Sequence, residues 1–239
     1  MSRSGRMRLG ATAVLLGTTL ALSACGTDGT SRDAPSVTAT SGADEPPPGF
    51  DEMPDGEITP DSALSPADLT ALLRIPASDT ATPESCLPNE VRVSIEGLDA
   101  AAGHRYARVV LTNVSSRTCT VSGFPGIGAR GDWGNTFELA AEHRDPSASP
   151  VNPIVVTLQP GTAGFANLEW TGELAGAESE KVSMLVLQLA QGQEAFGVPA
   201  VGAVAADSGD LSGQAVSLDI GILTTVRIGP VQLRPPDPR

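Results

Sequence analysis

The chain has 239 residues, with 15 basic side chains against 28 acidic ones and a single lysine, Lys181. Binding of nucleic acid requires clustered cations that displace counterions, so this composition argues against nucleic acid as a partner. The chain contains only 3 cysteines and 2 histidines, and any metal or redox site must be built from these few residues.

The first 24 residues have the layout of a secretory signal. Arg3, Arg6 and Arg8 precede an uncharged apolar stretch from Leu9 to Leu22. A basic start, a short apolar stretch and small residues before a cleavage site are typical of a signal peptide. The stretch is shorter than the roughly 20 residues of a membrane-spanning helix, so a signal peptide at 1–24 is predicted.

The end of this segment resembles the bacterial lipobox. Its residues are Leu22-Ser23-Ala24-Cys25, and the resemblance implies that Cys25 carries a diacylglyceryl group as the first residue of the mature protein. Two acyl chains give stable membrane anchoring. The prediction is a protein anchored by lipid on the extracytoplasmic face of the cell membrane. The alternative is an ordinary secreted protein cleaved near Ala24, which leaves Cys25 as a free thiol.

Residues 25–84 are predicted to be an acidic linker. They are rich in Pro, Thr and Ser and lack apolar periodicity over most of their length. Such a segment cannot bury enough apolar surface to offset the entropy lost on ordering. One short helix is predicted inside it at 66–74, with Ser65 as N-cap and Pro66 at the first helical position. Its leucines would either dock on the following domain or bind a partner in a groove.

Cys86 and Cys119 are predicted to form a disulfide. A cysteine pair outside the cytoplasm is usually a structural disulfide. A redox-active pair is the alternative, although the two are not in a Cys-x-x-Cys arrangement. A metal site would need nearby histidines, and the chain has only His104 and His143. No metal ligand and no cofactor is assigned.

From residue 85 onward, short stretches of alternating apolar and polar residues are separated by Gly, Pro and Asn. Many short strands of this kind are typical of an all-β, antiparallel Ig-like β-sandwich, which is predicted for residues 85–239. The Gly/Ala-rich segment 192–213 is predicted to be a loop or an insertion. Strands are predicted at 90–95, 106–111, 117–121, 136–139, 154–158, 164–170, 182–189, 214–220 and 225–233.

After Cys86, the region carries in order the motifs Leu111-Thr112-Asn113-Val114-Ser115-Ser116, Thr118-Cys119-Thr120-Val121, Gly123-Phe124-Pro125-Gly126, Val156-Thr157-Leu158-Gln159-Pro160-Gly161 and Leu168-Glu169-Trp170. This set of motifs resembles the DUF4232 family, a domain of unknown function in lipoproteins and secreted proteins of actinobacteria. The resemblance implies an extracytoplasmic β-sandwich with a bridge between Cys86 and Cys119. It implies no activity and no catalytic residues.

Trp133 is the candidate recognition residue. It lies between glycines and polar residues in Gly131-Asp132-Trp133-Gly134-Asn135, a pattern that predicts a turn. The indole either folds back over the sheet or protrudes as a contact for a glycan or a protein. An envelope protein or a glycan is therefore the expected partner.

No catalytic signature is present. The Gly-x-Ser-x-Gly elbow of serine hydrolases and the His-Glu-x-x-His zinc motif are both missing from the sequence. We therefore predict a cell-envelope lipoprotein that acts as a non-catalytic binding or interaction module. The alternative is an envelope enzyme or a metal-handling protein that uses His104, His143 and acidic residues. A purely structural spacer is the third hypothesis.

Overall fold

The structure is a computed structural model that describes residues 56–147, 149–172, 180–205 and 215–235. The predicted signal peptide, Cys25 and the linker up to residue 55 lie outside the described residues. Within the described part of the chain, no helix is both long and apolar enough to cross a bilayer.

The described residues fold into one short α-helix and fourteen β-strands. The helix is α1 (Pro66–Ala71). The strands are β1 (Leu73–Ile75), β2 (Val91–Ala101), β3 (His104–Asn113), β4 (Cys119–Val121), β5 (Gly126–Gly131), β6 (Ala140–His143), β7 (Val156–Leu158), β8 (Ala163–Thr171), β9 (Val182–Gln188), β10 (Phe196–Pro199), β11 (Val201–Ala205), β12 (Ala215–Ser217), β13 (Thr225–Ile228) and β14 (Gln232–Leu233).

Two sheets enclose one apolar core, so the predicted all-β sandwich is confirmed. The small sheet has the order β1-β5-β9-β10, and the large sheet has the order β12-β11-β2-β3-β8-β13-β6, with β14 also paired to β8. Val109 and Leu168 of the large sheet and Ile127 and Leu185 of the small sheet are fully buried in the same cluster. Apolar side chains at every second position of both sheets therefore face each other, as alternation predicts.

The sheets are not purely antiparallel. β11 pairs with β2 in parallel, and β13 pairs with β6 in parallel, whereas the other pairs of strands are antiparallel. Parallel neighbours require a long connection. Here the pair β13 and β6 lies at one end of the large sheet and the pair β11 and β2 lies next to the other end, where strands return from distant parts of the chain.

The disulfide prediction is confirmed, because Cys86 and Cys119 are bonded in the structure. The bridge joins the chain before β2 to β4, which pairs with β7 in a third sheet of two strands. The backbone N–H of Cys86 also donates to the carbonyl of Thr120 at 2.9 Å. The chain before β2 is therefore joined to this two-stranded sheet by a covalent bond and by a hydrogen bond.

The folded part of the chain extends on the N-terminal side of residue 85. The predicted helix is present, and Ser65 caps it in a capping box with Asp68. Leu72, at its end, is buried against Met184 and Val186, and β1 adds an edge strand to the small sheet through β5. The helix therefore docks on the domain through its leucines.

Several predicted strands have different bounds in the structure. Residues 136–139 are not a strand, because the chain there passes from the small sheet, where the N–H of Phe137 donates to Ala129, to the large sheet, where Ala140 donates to Thr224. The predicted strand 225–233 is split around Gly229 and Pro230 into β13 and β14, since proline cannot donate to a strand ladder. Segment 192–213, predicted as a loop or insertion, contains β10 and β11; residues 206–213 lie outside the described ranges.

Candidate functional site

The turn that carries Trp133 follows β5. The backbone N–H of Gly131 donates to the carbonyl of Asn135, and that of Gly134 donates to the carbonyl of Gly131, both at 3.0 Å. Gly134 has φ of +86°, a conformation that glycine adopts without steric cost. This tight turn leaves the Trp133 side chain half-buried, so the indole neither folds fully into the core nor protrudes freely.

A buried carboxylate holds the turn on one side. Glu180 is only 6% exposed, and its Oε1 accepts the backbone N–H of Trp133 at 3.0 Å. Burial raises the pKa of Glu180, the nearby charge of Asp132 adds to the increase, and the hydrogen bond from Trp133 opposes it. The backbone of Asp132 also donates to the carbonyl of Lys181 at 2.8 Å, so the turn is tied to the chain just before β9.

A buried guanidinium holds the turn on the other side. The side chain of Arg130 is 4% exposed, and its Nε donates to the carbonyl of Gly134 at 3.3 Å. Its Nη2 donates to the carbonyl of Thr59 at 2.6 Å, and its Nη1 pairs with Asp61. A buried cation is tolerated only when it is paired and hydrogen-bonded, and here two of the three acceptors come from the segment before α1.

The turn and this segment together line a cleft of about 210 Å³, bordered by Gly56, Glu57, Ile58, Thr59, Arg130, Trp133 and Gly134. Pockets for drug-sized ligands are usually about 300–1,000 Å³. The cleft is therefore sized for one side chain or one sugar ring rather than for an enclosed cofactor.

His104 and His143 are not brought together. His143 is in register with Ile228, which pairs with Leu168, whereas His104 has Glu169 Oε1 at 2.8 Å from its Nδ1. Leu168 and Glu169 are consecutive in a strand and point to opposite faces, so the two histidines lie on opposite faces of the large sheet. Three strand spacings also separate them, about 14 Å at roughly 4.8 Å per strand.

Each histidine has a structural environment of its own. The ring of His143 stacks on Phe124 with centroids 5.1 Å apart, and its Nε2 lies 3.1 Å from the carbonyl of Pro125. Burial lowers the pKa of His143, and the contact with the carbonyl opposes that change. The side chain of His104 is 41% exposed and belongs to an ion-pair row in which Arg227 joins Glu169 to Glu142.

A protein site for a metal ion is built from acidic, histidine or cysteine side chains that converge on one point. Among the residues that the structure describes, no group of three or more such side chains could hold a metal ion.

A comparison with protein families matches residues 86–219 to the domain of unknown function DUF4232. This match covers more than half of the chain. The chain belongs to the DUF4232 family. The matched range includes Trp133, Arg130 and Glu180, whereas residues 56–61 lie outside it. Neither the curated proteins nor the solved structures contain a match to this chain.

Sequence reasoning found Trp133 but missed the residues that fix it. Arg130 lies at the end of a glycine-rich strand that alternation does not reveal, and Glu180 follows an acidic, glycine-rich stretch that is typical of a loop. The composition of segment 56–61 is that of a linker. An arginine and an acid at a separation of 69 residues leave no pattern in a single sequence.

Proposed function

We propose that this DUF4232 protein is a cell-envelope lipoprotein whose β-sandwich is a non-catalytic binding module. The observation that carries the proposal is the Trp133 cleft. The backbone of the turn that carries the half-buried indole is held between a buried carboxylate and a buried guanidinium. A rigid aromatic side chain loses little conformational entropy on binding, which is why tryptophan is enriched where binding energy is concentrated.

The chemistry of the cleft suits part of an envelope protein or of a glycan. Trp133 offers an aromatic surface, and the exposed side chain of Glu57 offers hydrogen-bond acceptors in the same cleft. Sugar hydroxyls and the polar groups of a peptide are donors that match these acceptors. The volume of about 210 Å³ limits the contact to one ring or one side chain of a larger partner.

Lipid on Cys25 is the proposed membrane attachment. The residues Leu22 to Cys25 resemble a lipobox, as in the actinobacterial lipoproteins that the motif set resembles. Removal of residues 1–24 lowers the basic residues from 15 to 12 against 28 acidic ones, so the net charge falls to −16. Such a domain is repelled by anionic lipid and is held away from the bilayer by its linker. In a Cys25→Ser variant, the protein should move from the membrane fraction to the soluble fraction.

Native mass spectrometry tests the binding role. The ectodomain is released from its own membranes without reduction, and its mass is recorded before and after gentle activation. We expect an added mass that leaves on activation and whose weight identifies a glycan or a peptide. The Trp133→Ala variant should lose this mass, because the backbone bonds of the turn remain but the aromatic contact does not.

The His104→Ala/His143→Ala variant is the matched control. It should keep the added mass, since neither histidine lines the cleft. Loss of the mass in this variant, with retention in Trp133→Ala, would favour an enzyme or a metal-handling protein built on the histidines. A bare monomer in all variants would contradict tight binding at the cleft.

A further inference from the structure

Residues 56–59 line the cleft together with Trp133, and the segment 56–61 that contains them is here named the strap. We propose that the strap is a movable wall, clasped by Arg130, whose release opens the Trp133 cleft and couples the cleft to the linker. This inference rests on the proposed binding role of the cleft, although its test does not require a ligand.

The strap is held through a few side-chain contacts. Arg130 reaches the carbonyl of Thr59 and the carboxylate of Asp61, and Ile58 rests on the turn itself. A Cβ added at Gly134 would lie 2.9 Å from Ile58 Cγ2, so the strap and the turn are in direct contact. Gly56, Glu57, Thr59 and Pro60 are exposed. A segment with few buried apolar contacts opens more easily than the core.

The chain that follows the strap is fixed by a different kind of contact. Leu73 pairs with Gly128 in the small sheet, and Leu72 is buried next to Met184. The change from side-chain contacts to strand pairing therefore occurs between Asp61 and Leu72. The strap can detach without loss of β1, because the ladder and the apolar contacts that hold β1 lie beyond it.

Release of the strap does not leave the charge of Arg130 without hydrogen-bond acceptors. In the clasped state the carbonyl of Thr59 and the carboxylate of Asp61 accept hydrogen bonds from the guanidinium of Arg130 in place of water. When the strap moves away, water reaches the same N–H groups. The clasp is thus a balance between two hydrogen-bonded states, which allows a small perturbation to shift it.

The position of the strap in the chain links this balance to the linker. Residues 25–55 of the predicted linker directly precede the strap, and Cys25 is the first of them. A ligand that contacts both walls of the cleft favours the clasped state, and by linkage the clasped state binds that ligand more tightly. Tension on the linker has the opposite effect, since it acts on the strap before it reaches α1.

The Asp61→Asn variant of the whole ectodomain tests the clasp. The substitution keeps the shape of the side chain and removes its charge. Two signals are measured, namely the quenching of Trp133 fluorescence by acrylamide and the amide hydrogen exchange of 57–61 and 131–135. The chain has 2 tryptophans, and the Trp133→Phe variant gives the signal of Trp170, which is fully buried, for subtraction.

We expect faster exchange in the strap by roughly tenfold, as for the loss of one charge-assisted hydrogen bond, together with stronger quenching of Trp133. The matched control is Glu57→Gln, which removes one negative charge from the same strap without a contact to Arg130. The exchange of its strap and the quenching of its Trp133 should match those of the wild type; ligand binding is not compared in this variant, since Glu57 lines the cleft. The midpoint of urea unfolding should be similar in both variants, because the strap lies outside the core.

Unchanged exchange and quenching in Asp61→Asn, or equal changes in Glu57→Gln, would overturn the proposal. If Asp61→Asn does not fold, Ile58→Ala loosens the same wall without a change of charge and gives the same readout. The two proposals fail separately. A strap that loosens while Trp133→Ala keeps its bound mass refutes the binding role alone, whereas unaltered strap dynamics with ligand loss in Trp133→Ala refute the movable wall alone.

Discussion

Asp145 organises the loop between β6 and β7. Its carboxylate accepts the backbone N–H groups of Ser147 at 3.0 Å and Val151 at 3.1 Å, and the side-chain amide of Asn167 at 3.1 Å. Burial acts to raise the pKa of Asp145, but these hydrogen bonds outweigh it and the pKa lies below its ordinary value. The ionised carboxylate therefore stabilises the folded state.

The Asp145→Asn variant should be destabilised at neutral pH by about 1–3 kcal/mol, because an amide cannot accept all three bonds. A lowered pKa means that the contribution of Asp145 is present above the pKa of the unfolded chain and is lost as the pH falls through the folded pKa. The difference between variant and wild type in urea unfolding should thus be large at neutral pH and shrink below about pH 4. The exposed Asp99→Asn is the control. A pH-independent difference would contradict this assignment.

The pKa of Glu180 is shifted in the opposite direction from that of Asp145, so its contribution to stability has the opposite dependence on pH. Burial raises its pKa, so the folded state binds the proton more tightly than the unfolded state does. Its effect on stability then becomes less favourable as the pH rises through the unfolded pKa towards the folded pKa. The Glu180→Gln variant keeps an acceptor for the N–H of Trp133 and removes the charge.

We expect Glu180→Gln to be more stable than the wild type at neutral pH by up to about 1 kcal/mol, with a smaller gain near about pH 4. Thermal unfolding at the two pH values measures this difference. A loss of stability at neutral pH that shrinks near about pH 4 would show that the carboxylate is needed as an ion and would reverse the expected sign of its contribution.

Residues with a local role were predictable from the sequence, and residues with distant partners were not. Asn113 precedes a Ser-rich turn, a position where an Asn side chain bonds the local backbone, and its Oδ1 accepts the N–H of Ser115 at 2.9 Å. Trp170 ends the alternating stretch 164–170 that predicts a strand, and it is fully buried. Asp145 also bonds Asn167 of β8, and Glu180 bonds Trp133 of the turn after β5; the fold brings these distant partners together, and one sequence does not reveal such pairs.

At the level of elements, the contact of β1 with β5 depends on a glycine. A Cβ at Gly128 would lie 2.1 Å from the carbonyl oxygen of Leu72, so only glycine allows the end of α1 to approach the small sheet this closely. The Gly128→Ala variant must displace that backbone. We expect a loss of at least about 2 kcal/mol in urea unfolding and faster hydrogen exchange in 66–75.

Gly164→Ala is a useful comparison, because its nearest neighbours lie at 3.0 and 3.1 Å and have to shift only slightly. Gly164→Ala should lower the free energy of unfolding by less than Gly128→Ala does, and the amides of α1 should remain protected from hydrogen exchange. Similar costs for the two variants, without a change in the exchange of 66–75, would mean that α1 and β1 do not depend on the close approach at Gly128.

The presence or absence of alternating apolar residues explains which strands could be predicted from the sequence. β2, β3, β8 and β9 were located within a few residues because their apolar side chains alternate, which is the pattern of a half-buried strand. β5 was missed, because glycines interrupt the alternation in its sequence, Gly126-Ile127-Gly128-Ala129-Arg130-Gly131. Other parts of the chain approach these glycines closely. β1 was hidden in a segment with the composition of a linker, because three residues carry too short a pattern.

At the scale of the whole molecule, the disulfide joins the chain before β2 to β4, a strand that belongs to neither of the two main sheets. Cys86 and Cys119 are 33 residues apart, and between them run β2 and β3, two long strands of the large sheet. Close to the bridge, Arg117 pairs with Glu90 at 2.5 Å and donates to the carbonyl of Ser85 at 2.8 Å. The chain before β2 is thus held by a covalent bond and by an ion pair.

Replacement of both cysteines, in Cys86→Ser/Cys119→Ser, should lower the free energy of unfolding by about 3–4 kcal/mol, as expected from the loop-closure entropy of a cross-link of this length. Guanidinium unfolding with and without a reductant measures the effect. The wild type in reductant should approach the double variant, and the variant itself should not respond to reductant. The Cys25→Ser variant of the same chain is the control, since it changes a cysteine outside the domain and should unfold like the wild type. If the reduced wild type kept its full stability, the bridge would contribute little, and the ion pair of Arg117 with Glu90 would have to hold this end of the sandwich.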